Sequence, residues 1–128
     1  QRKVNFTGRL SLKELSGLTP AADLGLSVEE DLGLNYRFAL PNKLFDYIQA
    51  HVPVLVTNLP EMATIVEQYQ IGEICDSLEP EKLAKSLQEA LHNEKKRKTW
   101  KENLKIAAEE LNWEKEEKIL IDIYSPLL

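Results

Sequence analysis

The run FALPNKLFDYIQAHVPVLV, residues 38–56, decides how this chain folds. Its first part carries apolar side chains at helical spacing, namely Leu44, Phe45, Ile48 and Val52. Residues 53–56 then form a short, continuously apolar run, which is typical of a strand covered on both faces. A helix with one apolar stripe that leads directly into such a strand predicts packing of helices on a parallel sheet.

The same alternation continues on both sides of this run. It predicts strands at residues 4–6, 22–28, 53–56 and 73–75 and helices at residues 11–18, 41–52, 58–72 and 77–92. Residues 94–127 are helical and charged, with a separate terminal helix from Trp113 to Tyr124. Gly25 within the second strand predicts a close backbone approach, and Gly72 is the predicted end of the third helix, residues 58–72. This order of elements predicts an α/β fold of three layers, Rossmann-like, with a mostly parallel sheet.

Composition sets the broad class of the protein. The chain has 128 residues, 43% of them hydrophobic and 29% charged, which is ordinary for one folded domain. Cys75 is the one cysteine, so no disulfide forms within the chain, and a cytoplasmic location is expected. We find no apolar run of the roughly 18 residues that cross a bilayer.

Charge argues against nucleic acid as a partner. Lysine and arginine total 16 against 21 acidic residues, a formal net charge of −5. The one basic cluster, residues 95–98, is followed by Glu102, Glu109 and Glu110 at helical spacings, which favours a solvated helix face over a phosphate-binding patch.

Motifs that would mark common catalytic centres are missing from the sequence. It contains no P-loop, no Gly-x-Gly-x-x-Gly, no Gly-x-Ser-x-Gly and no paired cysteines or histidines at metal-binding spacing. His51 and His92 each end a predicted helix, where an imidazolium complements the helix dipole. The expectation is therefore a protein without a metal or a bound cofactor.

A polar loop at residues 29–40 and the helix after it form the candidate site. In a parallel sheet this loop lies at the carboxyl ends of the strands, where ligands bind. The helix start offers free amides and a positive dipole end for a phosphate. Lys43 would add a cation, and Asp46 could accept hydrogen bonds from sugar hydroxyls. The alternative is that Lys43 and Asp46 are an exposed pair with a structural role.

The segment from Phe38 to Ala50, followed by residues 52–56, resembles the donor-binding half of retaining glycosyltransferases of the GT-B fold, the group 1 type. Upstream, residues 4–8 and the Ala22-Asp23 strand look like the strand, glycine loop and second strand of that family. The resemblance covers nearly the whole chain and is most specific from Pro41 to Tyr47. It implies one of the two Rossmann-like domains of such an enzyme.

The resemblance also implies roles for individual residues. Asn42 and Lys43 would face the diphosphate of a nucleotide-sugar donor, and Asp46 would hold its ribose. Gly8 and Arg9 would form the loop near the nucleotide.

Many relatives have two glutamates separated by seven residues at the donor site. Here Asp46 stands where the second glutamate would be. The position of the first glutamate, eight residues earlier, is Phe38. Glu29 or Glu30 would supply the first carboxylate through a longer loop, with Asn35 and Arg37 as substitutes.

The family architecture also predicts what this chain lacks. The acceptor domain would precede Gln1, so residues 1–128 are expected to be a partial donor domain, inactive alone. Residues 1–111 would form the α/β core. Residues 112–128 would pack toward the missing domain or form a homodimer.

Two other functions suit an α/β chain of this length: a receiver-like signalling domain and a Rossmann-like interaction domain without catalysis. A receiver needs acidic residues after its first strand and an aspartate at the end of a central strand. Arg9 and Thr57 stand near those places instead.

Overall fold

A small parallel sheet forms the centre of the protein in the computed structural model, which describes residues 3–128. Its strands lie in the order β1 (Gly25–Ser27), β2 (Val54–Thr57) and β3 (Gly72–Cys75). Seven α-helices lie within the described residues: α1 (Leu12–Leu18), α2 (Leu34–Arg37), α3 (Asn42–Gln49), α4 (Pro60–Tyr69), α5 (Pro80–His92), α6 (Glu94–Glu110) and α7 (Trp113–Tyr124). Short 3-10 turns follow α1 at Thr19–Ala21 and α7 at Ser125–Leu127.

Helices α3, α4 and α6 cover one face of the sheet. The stripe predicted on α3 supplies the buried Leu44 and Ile48, which pack with Val54 and Val56 of β2. The same cluster contains Met62 and Val66 of α4 and Leu104 and Ala107 of α6. This cluster is the main hydrophobic core, and it holds α3 in a fixed position on the sheet.

Helix α5 covers the opposite face. Leu55 points away from the main cluster and is fully buried, while α5 contacts β2 and β3. Cys75, which pairs in register with Thr57, is also buried, and desolvation raises the pKa of its thiol. With helices on both faces, the three parallel strands form the predicted Rossmann-like α/β arrangement.

Gly25 allows α3 to approach β1 closely, as its place in the strand predicted. A Cβ atom at Gly25 would lie 2.5 Å from ring atoms of Tyr47, so the ring packs directly on the strand backbone. The Tyr47 hydroxyl also donates to the Leu26 carbonyl over 3.2 Å. Tyr47 therefore fixes the helix to β1 through both packing and a hydrogen bond.

The predicted strand at residues 4–6 is wrong. Val4 and Phe6 are 64% and 91% exposed and form no strand. A strand needs a neighbour to satisfy its amide and carbonyl groups, and none lies beside this segment in the described part of the chain. The predicted strand at residues 22–28 is shortened to β1 for the same reason: only the stretch beside β2 is paired.

Two local predictions also need correction. Gly72 does not end α4, because the helix stops at Tyr69 and Gln70 takes the left-handed conformation, with φ of 50°. Gly72 instead lies against β2, where a Cβ would be 2.0 Å from the Val54 carbonyl oxygen. The polar loop at residues 29–40 contains α2, a single helical turn, where no helix was predicted.

The basic run at the start of α6 is only partly a solvated face. Arg97 is half-buried and donates to the carbonyls of Ala90 and Asp23, at 3.1 and 2.8 Å. This guanidinium joins the end of α5 to the segment before β1. Lys96 pairs with Glu73 on β3 at 3.4 Å, whereas Lys95 and Lys98 are exposed.

Candidate functional site

The candidate site lies where β1 ends and α3 begins. Since α3 leads from β1 to the parallel strand β2, its amino terminus and the carboxyl end of β1 lie at the same edge of the sheet. Glu29 follows β1 after one intervening residue, and Asn42 and Lys43 open α3. The topology thus brings together residues that are 13 and 14 positions apart in sequence.

Lys43 pairs with Glu29 rather than with Asp46. The Lys43 Nζ lies 2.5 Å from Glu29 Oε1, with both side chains partly exposed, at 45% and 29%. Both Lys43 and Asp46 are exposed, as the alternative of an exposed pair with a structural role also expects, and Asp46 forms no ion pair among the described residues. A lysine and a carboxylate facing each other at this edge can hold a ligand that carries both an anionic and a hydroxyl group.

The start of α3 is open to an external acceptor. Pro41 occupies the N-cap position, so no side chain caps the helix. The first amides of a helix have no partner within it, and the dipole places partial positive charge there. Together with Lys43, these groups form a cationic end to the helix.

Asp46 lies one turn further along α3, beside a cleft of about 400 Å³. The opposite wall is formed by α1 and the turn after it, and the lining residues are Leu12, Leu15, Ser16, Thr19, Pro20, Asp46, Gln49 and Ala50. Asp46 is the one charged group in this lining. The cleft therefore combines an apolar wall with a single carboxylate that can accept hydrogen bonds.

The other predicted site residues form no hydrogen bond or ion pair with Lys43 or Asp46 within the described part of the chain. Asn35 and Arg37 lie on α2, and Arg37 pairs with Asp31 at 3.6 Å. Glu30 is exposed. Gly8, with φ of 72°, and Arg9 are exposed as well, and within residues 3–128 neither forms an ion pair or a side-chain hydrogen bond with α3.

Several residues that support the site were not predicted from sequence. Tyr47 holds α3 against β1 through its hydrogen bond to the Leu26 carbonyl. Gln49 donates from Nε2 to the carbonyls of Ala108 and Leu111, at 3.0 and 2.9 Å. Gln49 thereby closes the end of α6 against α3. The glycine at position 25 was the sequence signal that a side chain such as Tyr47 packs on the strand backbone. No local pattern marks Gln49, because its partners are about 60 residues away.

A second groove lies far from this edge, between α4, the start of β3 and α6. It has a volume of about 570 Å³ and contains the Lys96–Glu73 pair and the buried Trp100. At the border of the same helices, Tyr69 donates to Glu110 at 2.8 Å, and this hydrogen bond raises the pKa of the Tyr69 hydroxyl. These contacts join α6 to β3 and to α4. Across the described ranges no three His, Cys, Asp or Glu side chains converge as a metal site requires.

Comparison with known families gives a match over most of the chain. The family model described as glycosyl transferases group 1 matches residues 1–106. The chain belongs to this family. Neither the curated proteins nor the solved structures contain a match.

Membership of the group 1 glycosyltransferase family makes this chain a transferase domain, so a receiver-like domain no longer accounts for it. The matched region includes the whole candidate edge, from Glu29 to Asp46, and ends within α6. Residues 107–128, including α7, lie beyond it. Among the residues that the structure describes, no helix has the length and apolar character to span a bilayer.

Proposed function

We propose that this chain is the carboxyl-terminal, donor-binding domain of a retaining GT-B glycosyltransferase. The observation that carries the proposal is the Lys43–Glu29 pair at the open start of α3, within the region that the family model matches. Its ligand would be a nucleoside diphosphate sugar. The sugar would pass to a glycan, lipid or small acceptor bound by a second domain.

Lys43 and the first amides of α3 are the proposed diphosphate site. A phosphate at a helix amino terminus meets both unpaired N–H groups and the positive end of the dipole. During transfer, negative charge grows on the departing diphosphate, and donors already in place stabilise it. Asn42, at the first helical position, adds an amide side chain next to this anion.

Asp46 is the proposed ribose contact. Its carboxylate borders the cleft against α1, so a ribose there would find an acceptor for its hydroxyls and an apolar wall for the adjoining base. The amino-terminal loop at Gly8 and Arg9 would approach the nucleotide from the same side in the complete enzyme. Donor recognition would then use two adjacent turns of one helix.

Glu29, rather than Glu30, is the proposed contact to the donor sugar. Glu29 reaches Lys43 and is half-buried, whereas Glu30 is exposed. The Glu29 carboxylate lies beside the Lys43 ammonium, so a bound diphosphate would have to share or displace it. Asn35 and Arg37 are secondary candidates on the flanking loop.

The proposed role needs no metal or cofactor, since the helix terminus and Lys43 supply the positive charge. It does need an acceptor domain, so the 128-residue chain should bind donor without transferring sugar.

Calorimetric titration with UDP-, GDP- and ADP-sugars tests the proposal. At least one donor should bind the chain, and Lys43→Ala should weaken binding about 10- to 100-fold, because charge-assisted hydrogen bonds contribute roughly 1.5–3 kcal/mol. Lys105→Ala on α6 is the matched control and should leave the affinity unchanged.

Separate probes distinguish the subsites. Asp46→Ala should weaken the binding of a nucleoside monophosphate and of a nucleoside diphosphate sugar alike. Lys43→Ala should weaken mainly the binding of the diphosphate sugar. Glu29→Gln should increase the affinity for a nucleoside diphosphate without a sugar, because it releases Lys43 from its ion pair. Glu30→Gln should leave this affinity unchanged. Equal loss with Lys105→Ala and Lys43→Ala, or no donor binding by any probe, would contradict the assignment.

A further inference from the structure

The ion pair between Glu29 and Lys43 bears on which ligand the proposed donor site retains. Lys43 Nζ lies 2.5 Å from Glu29 Oε1, and the Glu29 side chain is the more buried of the two, at 29% exposed against 45%. Two residues further along the same loop, Asp31 pairs with Arg37 at 3.6 Å. The loop after β1 therefore places a carboxylate directly beside the lysine that opens α3.

Glu29 belongs to a segment that few backbone contacts hold in place. Within the described chain, no amide or carbonyl of residues 29–32 is hydrogen-bonded to another backbone group. Segments with few such bonds rearrange at low cost in free energy. The Glu29 carboxylate can therefore turn from the Lys43 ammonium toward a ligand without the loss of a backbone hydrogen bond.

A nucleoside diphosphate sugar and the nucleoside diphosphate without its sugar differ in charge at the terminal phosphate. In the sugar donor this phosphate is a diester, which has a single acidic oxygen. Without the sugar it is a monoester, and a phosphate monoester loses its second proton at about pH 6. Above this pH the product of transfer therefore carries nearly one more negative charge than the donor, at the group that would lie closest to Glu29.

We propose that Glu29 shifts the preference of this site toward the sugar donor and against the nucleoside diphosphate that transfer leaves behind. This inference rests on the proposed function and adds to it how the site rejects its product. With a donor bound, the sugar hydroxyls donate to the Glu29 carboxylate while Lys43 faces the diphosphate. With the nucleoside diphosphate bound, the carboxylate has no hydroxyl partner, competes for Lys43 and is repelled by the additional charge.

The repulsion is large enough to measure. Two like unit charges about 6 Å apart change an equilibrium constant roughly 3- to 100-fold as the effective dielectric constant falls from about 80 to about 20. Glu29 is partly exposed, so solvent screening places the expected effect near tenfold. Lys43 and the helix terminus attract the more highly charged ligand more strongly, so within the ion pair it is the carboxylate that favours the donor.

Calorimetry on the 128-residue chain tests the preference, with UDP-glucose, GDP-mannose and ADP-glucose each compared with its nucleoside diphosphate. The quantity of interest is the dissociation constant of the nucleoside diphosphate divided by that of the matching sugar donor. Glu29→Gln removes the charge and keeps the size of the side chain, and it should lower this ratio about tenfold. Glu30→Gln, at the exposed neighbouring carboxylate, is the matched control and should leave the ratio unchanged.

The methyl ester of the nucleoside diphosphate, formed at its terminal phosphate, separates the effect of charge from that of the sugar hydroxyls. It lacks both the sugar and the second ionisation, so Glu29→Gln should strengthen its binding less than that of the nucleoside diphosphate. An unchanged ratio in Glu29→Gln, or an equal gain for the ester and the nucleoside diphosphate, would overturn the inference and leave the donor site in place. Failure of every nucleotide to bind would overturn the proposed function and this inference together.

Discussion

Gly25 and Tyr47 determine how closely α3 can approach the sheet. The ring of Tyr47 lies where the side chain of any other residue at position 25 would be, and its hydroxyl bonds to the next carbonyl, that of Leu26. Lys43 lies one turn before Tyr47 on the same helix. A change of one residue in β1 thus acts on the position of the Lys43–Glu29 pair.

Gly25→Ala should lower the free energy of unfolding by about 1–3 kcal/mol, because the added methyl group overpacks the contact with Tyr47. The check is the midpoint of urea unfolding at an unchanged m-value. Gly17→Ala is the matched control: nothing lies within 4 Å of its Cβ position, so the added methyl group overpacks no contact and the midpoint should not fall. Equal effects of the two substitutions would contradict the close-approach argument.

Helix α1 is held by its cap rather than by packing. Ser11 Oγ accepts from the Glu14 amide at 3.2 Å, and Glu14 Oε2 accepts from the Ser11 amide at 2.8 Å, which completes a capping box. These hydrogen bonds also lower the pKa of the Glu14 carboxyl. A seven-residue helix without a buried side chain depends on such a cap, because isolated helices of this length are marginal in water.

Ser11→Ala should unfold α1 locally without changing the global unfolding midpoint. Loss of an N-cap costs about 0.5–2 kcal/mol, which is enough to melt a helix that packing does not support. Backbone chemical shifts of residues 12–18 should move toward coil values. Ser16→Ala in the same helix leaves the cap intact and should keep those shifts helical; a cooperative loss of the whole fold with Ser11→Ala would show that α1 is part of the core.

The whole molecule divides into a packed core and two uncovered ends. The buried cluster draws on α3, β2, α4 and α6, whereas residues 3–18 and 113–128 contribute no buried side chain. Stability is therefore uneven along the chain, and the candidate site lies on the stable part. Helix α3 belongs to the core, although α1, which forms the other wall of the cleft, does not.

Removal of residues 113–128 should change the free energy of unfolding of the dilute, monomeric chain by no more than about 0.5 kcal/mol, as is usual for surface changes. The Leu111 carbonyl that Gln49 binds remains in the shortened chain. Urea unfolding of both lengths, at concentrations where the full chain is monomeric, gives the comparison. A loss of several kcal/mol would mean that α7 packs on the core.

Periodicity along the sequence was enough to identify most elements. The stripe at Leu44 and Ile48, the apolar β2 and the sequence of helices from α3 to α7 are local patterns, and the structure confirms them. The start of α3 was likewise predicted to within one residue, because it depends on adjacent positions, whereas Gly25 indicated a close approach without identifying Tyr47, 22 positions away.

Contacts between distant residues needed the tertiary structure. Residues 4–6 have the composition of a strand and yet form none, because a strand exists only beside a partner. No local pattern indicated the ion pair between Lys43 and Glu29, because the crossover from β1 to α3 brings that carboxylate to the start of the helix. Local periodicity therefore determined the elements and the position of the candidate site, while chain topology decided which charges meet there.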